Sequence, residues 1–84
     1  MTDTELLEWW PDLGALVSEL RRIDRDAVAD LIIDAVCAGA TSGEIFCSVG
    51  VVLHDYRRVR SELDDSGMRA WDAVMAEIGV YPGS

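Results

Sequence analysis

The chain has 84 residues, sixteen of them Asp or Glu against seven Arg and no Lys, for a net charge of −9. A chain of this size buries only about 60–65% of the surface it would expose when unfolded, so one compact domain is its limit and a two-domain enzyme is excluded. Half of the residues are hydrophobic, too many for a disordered acidic tail, and a field of this sign repels phosphate backbones and anionic leaflets, which argues against direct nucleic-acid or membrane binding.

The pattern is helical throughout and predicts an all-α fold, a single-domain bundle of four helices over residues 1–84. Helices are expected at about 4–22, with a kink or break near residue 11, then at 25–38, 42–63 and 67–78, with an extended tail over 80–84. In the first, Leu6, Trp9, Leu13, Leu16, Leu20 and Ile23 recur three or four residues apart and form one inward stripe, with Trp10 beside it and exposed. Pro11 interrupts that helix, because proline lacks the N–H an interior turn needs.

Asp24 is the expected N-cap of the second helix, whose inward face is Val28, Leu31, Ile32 and Ala35, and Gly39 is expected in a left-handed position at its end. Thr41-Ser42-Gly43-Glu44 has the form of a capping box. The third helix follows, the longest and expected to be central, with Ile45, Val49, Val52, Tyr56, Val59 and Leu63 in register. After the turn Asp64-Asp65-Ser66-Gly67, in which Ser66 is the expected cap, the fourth helix carries Met68, Trp71, Val74, Met75 and Ile78 inward.

No run approaches eighteen apolar residues, and the acidic start Met1-Thr2-Asp3-Thr4-Glu5 is unlike a signal peptide. Cys37 and Cys47 have no CxxC spacing, which fits a reducing compartment, and a cytoplasmic location is expected.

His54 is the only histidine, and no second His or Cys pair completes a zinc site, so neither metal nor cofactor is expected. Cys47, Val51, His54 and Arg58 share one side of the third helix. Cys47 and His54 stand two helical turns apart, about 10 Å, beyond the reach a thiol and its base require. No enzymatic activity is expected, and this side is instead either a second buried face of a central helix or an alternative partner-binding face.

Asp26, Asp30 and Asp34 form an acidic stripe about 12 Å long on the second helix. Ile33 and Cys37 project beside it, so an exposed apolar anchor among steering carboxylates makes Asp26, Asp30, Ile33, Asp34 and Cys37 the candidate site for a basic protein partner. Asp24-x-Asp26 with Asp30 is not a calcium loop, because Ala29 and Ala35 stand where the loop needs Gly and Glu.

Asp65-Ser66-Gly67-Met68 looks at first like the Asp-Ser-Leu modification site of acyl carrier proteins, also acidic four-helix bundles of about this size. In that family the serine opens the second helix near mid-chain, whereas Ser66 is followed by eighteen residues. A small, acidic, all-helical chain with no catalytic constellation resembles the bacterial immunity proteins that neutralise toxins, and Ala38-Gly39-Ala40-Thr41-Ser42-Gly43-Glu44-Ile45 is similar to a helix-connecting segment of such proteins. The resemblance implies an acidic inhibitor of a basic toxin enzyme such as a nuclease. Two other readings stand beside it: a helical homodimeric adaptor or structural module whose exposed Val51-His54 and Trp10 surfaces are covered by a second copy, and an acyl-carrier-like protein.

Overall fold

The computed structural model describes residues 1–79, so the tail expected over 80–84 lies outside the described residues. The fold is all-α, with five α-helices and one 3-10 helix among the described residues where four helices were expected: α1 (Asp3–Trp9), α2 (Pro11–Arg22), α3 (Asp26–Ala38), α4 (Ser42–Asp55), the 3-10 helix (Arg57–Glu62) and α5 (Asp65–Gly79).

Pro11 breaks the first expected helix outright. Trp10 ends α1 with φ −138 and ψ 85, and Pro11 stands at the first position of α2, where its missing N–H costs nothing. α1 opens with a capping box in which Glu5 N donates to Thr2 Oγ1 at 3.1 Å and Thr2 N donates to Glu5 Oε1 at 2.9 Å. α1 then lies against α2, and the absence of a side chain at Gly14 permits this, because a Cβ there would overlap the Leu7 backbone.

The central helix is α2 rather than the third expected one. It packs against α1, α3 and α5, and buries Leu13, Leu16, Val17 and Leu20 together with Leu6 of α1. Each fully buried leucine contributes about 1.5–3 kcal/mol of transfer free energy. The core continues through Val28, Ala29, Ile32 and Val36 of α3, Val49 and Leu53 of α4, Val59, Leu63, and Trp71, Val74 and Ile78 of α5.

Asp24 does not open α3. It closes α2: Asp24 N donates to Arg21 O and Arg25 N to Leu20 O, the paired bonds of a Schellman motif, and Asp24 holds its left-handed position at φ 61. Gly39, expected in that conformation, is extended at φ −75 and ψ 136. It is needed for a different reason, since a Cβ at Gly39 would strike Ile45 at the start of α4. Thr41 caps α4 as expected, accepting from Glu44 N at 3.2 Å, while Glu44 reaches back to Ala40 N at 2.9 Å.

The long third helix expected over 42–63 stops at Asp55. Beyond Tyr56 the chain tightens into the 3-10 helix, with Val59 N bonded to Tyr56 O and Leu63 N to Arg60 O. Val59 within it and Leu63 just after it, where the backbone is extended, are buried, whereas Tyr56 ahead of it is exposed, and the turn places Arg60 Nε 2.9 Å from Asp72 Oδ1 of α5. At the next boundary Asp64, not Ser66, is the cap: its Oδ1 accepts from Gly67 N at 2.9 Å, and Ser66 lies exposed in the first turn of α5.

Five side-chain expectations are reversed. Leu31 is 39% exposed and Ile33 is half-buried against the core, because the inward face of α3 is rotated toward Ala29 and Val36. Trp9 is 50% exposed and Trp10 is buried, since the break at Pro11 removes the single helix that the stripe assumed. Met75 is likewise exposed.

Candidate partner-binding surfaces

The acidic stripe of α3 is divided by its own fold. Arg21, in the last turn of α2, places Nε 2.6 Å from Asp3 Oδ2, Nη1 3.0 Å from Asp26 Oδ1 and Nη2 2.9 Å from Asp30 Oδ1. One guanidinium thus ties α1, α2 and α3, and the hydrogen bonds it donates to Asp3, Asp30 and Asp26 raise its pKa above the usual arginine value. Asp34 is exposed, with no ion pair among the described residues, and Cys37 is exposed with its Sγ 3.9 Å from the Met1 ammonium. The outward face of α3 therefore offers Asp34 and Leu31, and Ile33 is turned partly away.

Of the alternative face, Cys47, Val51 and His54 come together, all exposed, along a groove of about 430 Å³ that Phe46, Gly50, Ile78 and Gly79 also line. Arg58 is not among them. The end of α4 at Asp55 carries it into the 3-10 helix, where it lines a separate depression with Asp55, Tyr56, Arg57 and Val59.

A third surface lies at the two tryptophans, and its partner residue Glu77 was not among the expected site residues. Trp9, Trp10, Pro11, Phe46 and Glu77 line a cleft of about 270 Å³ where the α1–α2 corner meets α4 and α5. The two indoles stand edge to face, with centroids 6.1 Å apart at 85°, and the Trp10 ring tilts against Phe46 at 4.6 Å. Trp10 Nε1 donates to Glu77 Oε2 at 3.1 Å. Glu77 Oε1 is buried with no donor among the described residues. Burial raises the pKa of this carboxyl, and Asp12 raises it further, through a close approach that becomes a hydrogen bond only with a proton between the two acids; the Trp10 indole opposes both. The signal was indirect: two tryptophans ahead of a proline cannot share one helical face, but their partner Glu77 lies 67 positions away.

The arginines of the chain are mostly used internally. Besides Arg21, Arg22 pairs with Glu19 and Asp64, Arg25 with Glu62, and Arg60 with Asp72. Glu8, Asp24, Asp34, Asp55 and Asp65 have no ion pair among the described residues. The surface thus presents carboxylates in excess. No group of three or more His, Cys, Asp or Glu among the described residues is placed to hold a metal ion, and no described helix is long and apolar enough to cross a membrane. No protein-family model, curated protein or solved structure matches the chain.

Proposed function

We propose that this protein is a cytoplasmic binding protein that inhibits a basic enzyme, such as a nuclease toxin, by covering its positive surface, in the manner of a bacterial immunity protein. The observation that carries the reading is the use of the arginines. Four of the seven are held in ion pairs with the chain's own carboxylates, and the acids without an ion pair among the described residues outnumber the other three arginines, so the outward field is negative. Such a field accelerates encounter with a basic partner, up to about 10⁸–10⁹ M⁻¹s⁻¹ at low salt. On α3, Asp34 supplies steering charge and Leu31 an apolar anchor, with Asp26 and Asp30 reduced to a supporting part by Arg21.

Reconstitution tests the reading. The protein serves as bait in its source cells, the retained protein is purified separately, and that protein's activity is measured with and without an equimolar addition. The expected partner is basic, loses activity at a one-to-one ratio and associates more slowly as salt rises. An acidic partner, or one whose activity is unchanged, overturns it.

A helical homodimer or adaptor is the second reading, favoured by Val51, which is 55% exposed beside an apolar groove. Light scattering distinguishes it: a dimer that Val51→Glu dissociates supports this reading, and a monomer at all concentrations removes it.

A further inference from the structure

We infer that the cleft between Trp9 and Glu77 receives an arginine side chain of the protein partner. The inference rests on the reading of this protein as a binder of a basic protein, and it names the contact that would give that binding its specificity.

Three features of the cleft select a guanidinium. Trp9 is half exposed, stands at a right angle to Trp10 and lines the cleft, so the cleft wall carries part of an indole, the ring on which a planar cation stacks best. Glu77 lines the cleft and is held in place, because one of its oxygens accepts the Trp10 indole N–H, while the other is buried with no donor among the described residues and meets a ligand only when the carboxylate turns toward the cleft. A buried acceptor without a donor is uncommon in folded proteins, and a guanidinium brings five N–H groups. Finally, the local charge is uncompensated: Asp12 crowds Glu77, Glu8 lies one residue from Trp9, and none of these three acids has an ion pair with an arginine among the described residues. Cation–π attraction and charge-assisted hydrogen bonding then act on the same ligand group. A lysine ammonium would satisfy the charge but could neither stack flat on the indole nor fork to the carboxylate.

The test uses the full chain, isotope-labelled for NMR, and a glycine-flanked peptide carrying one arginine, with lysine and citrulline counterparts, at low ionic strength. The arginine peptide is expected to move the Trp9 and Trp10 indole N–H signals together and saturably, the lysine peptide more weakly, and the neutral citrulline peptide not at all. Glu77→Gln and Trp9→Ala are each expected to weaken the arginine peptide about fivefold or more, while Asp34→Asn leaves it unchanged. Glutamine retains an acceptor for the Trp10 indole, and Trp9 is half exposed, so at least one variant stays folded, which circular dichroism verifies. If the indoles do not respond, if citrulline binds equally, or if both folded variants bind as before, the cleft is not an arginine site. Binding that maps to Leu31 and Asp34 with silent indoles overturns the cleft alone. Absence of arginine-peptide binding anywhere on the protein overturns the basic-partner reading as well.

Discussion

Arg21 Nη2 lies 2.9 Å from Asp30 Oδ1, and this contact makes a residue of the acidic stripe part of the fold. The same guanidinium holds Asp26 and Asp3, so the stripe is not a uniform steering surface.

Asp30→Arg sets a like charge against Arg21 and is expected to cost about 1 kcal/mol, the upper range for a partly exposed pair, which a urea midpoint would register. Asp34→Arg, by contrast, should leave the midpoint within about 0.5 kcal/mol of wild type, because it breaks no ion pair among the described residues. If Asp30→Arg is equally neutral, the Arg21 cluster contributes nothing to folding.

Neighbouring leucine and isoleucine on α3 should respond in opposite ways. Leu31 is 39% exposed and its truncation to alanine is expected to cost under about 1 kcal/mol, whereas Ile32, at 0%, should cost about 2–5 kcal/mol. Thermal denaturation of the two variants side by side checks the rotated face of α3.

Asp24 occupies a left-handed backbone position at φ 61 that glycine adopts without steric cost. Asp24→Gly is therefore expected to raise stability by about 0.5–1 kcal/mol, reading the backbone relief against the added freedom of the unfolded chain. A lower melting temperature would mean that the aspartate side chain matters more than its backbone.

Glu77 has a folded-state pKa above the ordinary glutamate value of 4.5, through burial and then Asp12. The folded state therefore holds the proton more tightly than the unfolded one, and the stability this contributes is present below 4.5 and lost as pH rises through the folded pKa. Glu77→Gln removes that loss, so the variant should gain on wild type at pH about 7 and the difference should narrow toward pH about 4. Asp64 has the opposite sign: the Gly67 backbone N–H, with a further contribution from Arg22, lowers its pKa, so its contribution is lost as pH falls. Urea midpoints at the two pH values for wild type and Glu77→Gln give the answer.

Ser66 is exposed in the first turn of α5, and Asp64 performs the capping. Intact mass after expression beside a phosphopantetheinyl transferase is expected to show no adduct. A mass increase on Ser66 would move the protein to the carrier reading.

Helix class was legible from local spacing, because Leu6, Leu13, Leu16 and Leu20 repeat with the period of a helix and all are buried. Thr41 as a cap and an interruption at Pro11 were legible for the same reason, being set by a hydroxyl and a missing N–H within a few residues, but whether Pro11 breaks or kinks the helix was not. The charge was legible too, but not its distribution. A periodic stripe defines a face only to within neighbouring positions, so α3 could settle on Ala29 and Val36 and leave Leu31 outside. Three-residue spacing suits both α and 3-10 helices, and Leu63 is buried from an extended position after the turn, so the end of α4 at Asp55 was not visible in Val59 and Leu63. Which carboxylates are spent on arginines, and the meeting of Trp10 with Glu77, depend on contacts between helices far apart in sequence, and only the packing of α1, α3 and α5 around α2 brings those groups together.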